Sequence, residues 1–123
     1  MSMIVNRRDL DFVLYETLGL DEILNSEHYA DYDRESLDAM LDLCQTIAED
    51  QFLSCASKLD ANEPQFVDCK VETIPELKEA IAAYQEAGLC ASAYDADIGG
   101  LQLPWMADQA LNGMFTCANN PAH

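Results

Sequence analysis

The residues that invite a chemical reading lie in Tyr94-Asp95-Ala96-Asp97-Ile98-Gly99-Gly100-Leu101-Gln102-Leu103-Pro104-Trp105. Two carboxylates followed by paired glycines suggest a calcium loop. Counted from Asp95, Gly100 takes the sixth position, as an EF-hand loop requires. Gly99 then stands where the fifth position needs a ligand, and Met106 where the twelfth needs a bidentate Glu. That set of ligands does not close around calcium. Phosphate binding fails on the same residues, because no Lys follows Gly88, Gly99 or Gly100 and no strand pattern precedes them.

His28 lies near Asp31, Asp33 and Glu35, a set that could ligate a metal. The other histidine is the terminal His123, and metal sites usually draw on several His or Cys ligands. The group reads instead as a solvated loop beside a helix N-cap. Cys44, Cys55, Cys69, Cys90 and Cys117 are odd in number and none are spaced as Cys-x-x-Cys. Cys44, Cys55 and Cys117 fall at apolar helical positions, where a thiol acts as a small hydrophobe. No cysteine has a neighbouring His to activate it. The pattern is that of a reduced, cytoplasmic protein. The carboxylates sit mostly on polar helix faces, where solvation is their ordinary role. These residues assign no catalytic group and no metal ligand.

The chain has 123 residues, enough for one domain with a core that needs no staples. Six Lys and Arg face 23 Asp and Glu, for a formal net charge of -17. Nucleic acid and anionic membranes are repelled by such a surface. The charge serves solubility or faces a basic partner. Arg7 and Arg8 precede no apolar run, so no signal peptide is read, and no stretch is long and apolar enough for a membrane span.

The elements that would position these residues are helical. Asp9 reads as the N-cap for a helix through Leu18, with Leu10, Leu14 and Leu18 on one face, Phe12 and Val13 beside them, and Gly19 as its stop. Residues 20–32 carry signals for both a short turn of helix and a loop. Asp33 then caps the clearest element of the chain. Its stripe is Leu37, Met40, Leu41, Cys44, Ile47, Ala48, Phe52, Cys55, Ala56 and Leu59, ended by Asn62 and Pro64. Residues 65–71 alternate weakly through Val67, Cys69 and Val71 and are read as a connecting segment. Thr73-Ile74-Pro75-Glu76 matches a capping box, and its helix turns Leu77, Ala80, Ile81 and Tyr84 inward before Gly88 stops it. Pro104 opens a last helix that carries no charge from Ala110 to Ala118, which predicts burial all round. Gly113 would admit a close backbone neighbour there. The expected fold is all-α, an up-down bundle of three to four helices with no substantial sheet.

Taken in order, these pieces resemble the N-terminal helical domain of the acyl-CoA dehydrogenases, in their longer-chain subgroup. Arg8-Asp9-Leu10-Asp11-Phe12-Val13-Leu14-Tyr15-Glu16 resembles that family's opening helix. Ala30-Asp31-Tyr32-Asp33 and the helix to Leu59 resemble the second. Ile74-Pro75-Glu76-Leu77-Lys78-Glu79-Ala80, with Tyr84 and Ala87-Gly88-Leu89, resembles the next. Gly99-Gly100-Leu101-Gln102-Leu103-Pro104 resembles the family's Gly-Gly-x-Gly-x-Pro turn, and Asn112 to Asn120 the helix beyond it. Gln102 departs from the pattern, which usually has Gly there. Asp108 and Gln109 stand where the family often has Glu-Glu.

The resemblance implies a flavoenzyme that oxidises acyl-CoA thioesters at the α,β carbons, with FAD as cofactor and an electron-transfer acceptor. It implies a domain truncated at its C-terminal end, over residues 1–123. The family's remaining pocket helices, flavin-covering β-domain and catalytic Glu would lie outside this stretch. The fragment alone is then expected to bind no flavin and to be inactive. The residues nearest the acyl chain would be Phe115, Asn119 and Asn120, while Gly99, Gly100 and Pro104 shape the turn. A last helix without its cover predicts a homo-oligomer that buries Leu111, Met114 and Phe115. The alternative is a stand-alone acidic interaction module whose last helix binds a partner.

Overall fold

Helix α1 opens at Arg7, and the computed structural model describes residues 2–123. Asn6, and not Asp9, caps α1 (Arg7–Asp11), its side chain accepting from the Asp9 amide at 3.3 Å. The chain continues through a wide π-helical turn, Phe12–Thr17, closed by a Leu18 N–H to Val13 carbonyl bond of 2.9 Å. That extra residue rotates the helix face. Leu14 and Tyr15 are buried, while Leu18, expected beside Leu14, is exposed along with Phe12 and Val13. Gly19 does stop the helix, in the left-handed region at φ 67°. Helix α2 (Leu20–Leu24) follows and buries Leu20 and Leu24.

Helix α3 (Arg34–Ile47) starts at the expected cap. Asp33 accepts from the Ser36 amide at 2.7 Å, and Ser36 Oγ accepts from the Asp33 amide at 3.0 Å. Hydrogen bonding to the carboxyl by the Ser36 amide first, and by its side chain second, holds Asp33 below its ordinary pKa. The helix runs on through a second π-helical turn, Ala48–Leu53, into α4 (Ser54–Ala61). Leu37, Leu41, Cys44, Ala48, Phe52, Cys55 and Leu59 are buried along this rod. They recur at spacings of four, three and four, a longer period than an α-helix keeps in phase. The wide turn absorbs the surplus and keeps the stripe aimed at the core.

Residues 65–71 depart from the expected connector. Strand β1 (Gln65–Val67) pairs with β2 (Lys70–Glu72) in an antiparallel hairpin. Asp68 and Cys69 both take positive φ, 50° and 61°, the requirement of a type I′ turn. Cys69 therefore sits in the turn, which breaks the alternation and pairs Phe66 with Val71. Every hairpin residue is exposed. The Thr73 capping box does not form either. Ile74 is the N-cap of α5 (Pro75–Glu86), with no side-chain bond, and the Glu76 carboxylate pairs with Lys58 instead. Of the residues expected inward, Ala80 is buried, Leu77 and Tyr84 are partly buried, and Ile81 is exposed. Gly88, at φ 77°, ends α5 as expected.

Helix α6 (Trp105–Asn119) packs against the rod. It is not buried all round. Ala107, Asp108, Leu111, Met114, Phe115, Ala118 and Asn119 face inward, while Gln109, Gly113, Thr116 and Cys117 are exposed. A Cβ placed on Gly113 would meet nothing within 4 Å, so no backbone crowds it. Leu111, Met114 and Phe115 need no second copy to cover them, because they are 0%, 2% and 0% exposed within this chain. The chain is thus mostly helical with one small sheet. No described helix is long and apolar enough to cross a membrane.

Candidate functional site

The glycine turn folds back on the segment before it. Between α5 and α6 the chain makes two short 3-10 turns, Leu89–Ala91 and Ala96–Ile98. The Gly100 amide donates to the Asp95 carbonyl at 3.0 Å, Leu101 to Ala91 at 3.1 Å, Gln102 to Tyr94 at 2.9 Å, and Leu103 to Ser92 at 2.9 Å. Gly99 is left-handed at φ 91°. Gly100 is required for another reason: a Cβ there would run into the Tyr94 carbonyl. The Tyr32 hydroxyl donates to the Leu101 carbonyl and ties the turn to the segment before α3. Burial, then the nearby Asp31 charge, raises the pKa of that phenol.

Gln102 sits at φ 54°, where the resemblance places Gly. Its side chain makes up for the backbone strain. Oε1 accepts from the Ala96 amide at 2.9 Å and Nε2 donates to the His28 carbonyl at 2.6 Å. His28 itself is exposed, 3.9 Å from Asp95, and makes no metal cluster among the described residues. Gln102→Ala loses both bonds and keeps the strain, so it should cost about 1 kcal/mol or somewhat more. Gln102→Gly loses the bonds and relieves the strain, and should be close to neutral. Urea unfolding of the pair checks this. Equal destabilisation by both would remove the strain argument.

At the start of α6 lies a polar group that the sequence reading passed over. Asp108 is 4% exposed and Ser92 5%. The Ser92 hydroxyl donates to Asp108 Oδ1. Asn112 and Gln109 donate to Oδ2 at 3.1 and 3.3 Å. The Tyr84 hydroxyl donates to Asn112 Oδ1 at 3.3 Å. Burial raises the Tyr84 pKa most, with Cys90 and Asp108 adding to it. Tyr84, Ser92, Asp108 and Asn112 open onto a cleft of about 320 Å³, walled also by Tyr94 and Trp105. The signal was present in the sequence: Asp108 shares a helical face with Leu111 and Phe115.

The three acyl-chain candidates do not converge. Phe115 lies in the core, edge-to-face with Phe52 and Tyr84 at centroid distances of 5.0 and 4.9 Å, and stacked on His123 at 5.8 Å. Asn119 is 4% exposed and its Nδ2 donates to the Phe52 carbonyl at 3.0 Å. That carbonyl lies in the wide turn, so the bond ties the end of α6 to it. Asn120 is exposed and begins a short 3-10 turn, Asn120–Ala122. None of the three lines the cleft at Asp108.

No family model matches the chain. The chain is similar to the broad-specificity linear acyl-CoA dehydrogenase FadE5 of Mycobacterium tuberculosis, 32% identical over 117 residues. The match covers 93% of this chain and 19% of that protein, so the chain spans about a fifth of the relative it matches. The likeness to acyl-CoA dehydrogenases read from the residues is thereby shown along nearly the whole chain.

Proposed function

We propose that this chain is the N-terminal helical domain of an FAD-dependent acyl-CoA dehydrogenase, folded as an up-down bundle that walls the acyl-chain pocket and shields the flavin from water. The observation that carries the reading is the likeness to an acyl-CoA dehydrogenase over 93% of the chain. In this reading Phe115 and Asn119 act from behind the pocket surface. They hold α6 and the wide turn in place, while Asn120, on the outside, is left for direct contact.

The residues beside the glycine turn and α6 do not fit a flavin pyrophosphate. Asp95, Asp97 and Asp108 are there, and the chain has no Lys or Arg after Lys78. Flavin would be held by parts of the parent protein beyond this stretch. The whole protein encoded with this chain should purify yellow and lose its flavin colour on adding acyl-CoA. A colourless whole protein, unchanged by acyl-CoA after supplementation with FAD, would overturn the enzyme reading. It would leave the acidic interaction module.

A further inference from the structure

The cleft at the start of α6 is built around a carboxylate with no cation. Asp108 makes no ion pair among the described residues, and no Lys or Arg lines the cleft. Ser92 donates to Oδ1, and Asn112 and Gln109 donate to Oδ2, all of them neutral, which leaves Oδ1 one position for a further donor. Those donors and the first turn of α6 make the charge tolerable without cancelling it. A buried carboxylate normally has a cationic partner or a metal. The surrounding walls narrow what that partner is. Tyr94 and Trp105 line a volume of about 320 Å³, at the small end of ligand pockets, with Tyr84 also at its edge. Aromatic faces attract a weakly hydrated, planar cation most strongly, and a guanidinium can give one N–H to Oδ1 while its plane lies against the rings. Tyr94 and Trp105 are 63% and 67% exposed, so the rim is open to an arriving group.

We propose that this cleft binds a guanidinium group, with Asp108 as the charge partner and Trp105 and Tyr94 as its aromatic walls. The group could belong to a small free guanidine or to an Arg side chain on a peptide. The proposal goes beyond the acyl-CoA dehydrogenase reading and stands independently of it.

Trp105 is the chain's single tryptophan, so its fluorescence reports on the cleft alone. Titration with agmatine should give a saturable change. Its neutral ureido analogue, N-carbamoylputrescine, should give none. Asp108→Asn should weaken agmatine binding about tenfold or more, as loss of a charged hydrogen-bond partner does. Tyr94→Leu, on the exposed rim, should weaken it several-fold by removing one aromatic wall. Asp60→Asn, at the far end of α4, controls for the general pull of an acidic surface and should change nothing. Acetyl-Gly-Arg-Gly-amide separates the sources. Binding at least as tight as agmatine assigns the site to an Arg side chain, and weaker binding assigns it to a free guanidine. A linear response, an equal response to the neutral analogue, or unchanged binding by Asp108→Asn would overturn the proposal. Should Asp108→Asn fail to fold, the neutral analogue and Tyr94→Leu decide it.

Discussion

Phe115→Ala is expected to destabilise the chain by about 3–5 kcal/mol, the range for truncating a buried aromatic. Phe115 is 0% exposed and sits where three elements meet. Phe52 comes from the wide turn of the rod, Tyr84 from α5, and His123 from the end of the chain. Edge-to-face pairing with Phe52 and Tyr84 adds to the area that its ring removes from water. Phe52 and Tyr84 cannot move in to fill the gap without leaving their own helical segments. A domain of this size holds roughly 5–15 kcal/mol in total, so the variant should lie near the edge of folding. Urea unfolding should show a much lower midpoint at similar slope. A loss below about 1 kcal/mol would mean that the aromatic cluster is not the centre of the core. Phe115→Leu, which keeps most of the volume, should recover a good part of the loss.

Much of this architecture was legible because its signals are local. Asp33 announces a cap by its type and its place before the apolar stripe, and the Ser36 half of the box emerges only in the fold. Gly19, Gly88 and Gly99 mark left-handed positions that few other residues accept. The stripe from Leu37 to Leu59 survives any reasonable choice of helical period. The wide turns were not legible. They preserve burial by changing the period, so a straight α-helix misplaces Leu18 but still places Leu59 correctly. The Thr73 box failed for a different reason. Glu76, which should have completed it, is drawn to Lys58, a partner 18 residues earlier in the chain. The hairpin at Asp68-Cys69 lacked the usual glycine, so its turn chemistry was hidden. At the candidate site, the glycines announced the turn, whereas Asp108 was concealed among apolar neighbours. A polar residue on a buried stripe was the readable sign, and it was outweighed by the apolar run that follows it.

The two glycines of the turn should separate sharply on substitution, though both lie in one loop. Gly99→Ala meets open space, since nothing lies within 4 Å of the added Cβ. Its cost is the left-handed backbone at φ 91°, about 1–2 kcal/mol for an L residue. Gly100→Ala meets the Tyr94 carbonyl, which is backbone and cannot rotate aside. Tyr94 also accepts the Gln102 amide and is held between Ala91 and Asp95, whose carbonyls accept from Leu101 and Gly100. Relief therefore requires the hydrogen-bonded turn to open, at about 3 kcal/mol, the upper end for overpacking. That opening would propagate to the start of α6, because the Leu103 N–H to Ser92 carbonyl bond belongs to the same turn. Ser92 is the residue that holds Asp108, so Gly100→Ala should disturb the Trp105 cleft while Gly99→Ala leaves it intact. Urea midpoints give the two stabilities, and Trp105 emission in the folded state gives the cleft. Equal costs, or an unchanged emission in Gly100→Ala, would show that the turn and the cleft are not mechanically joined.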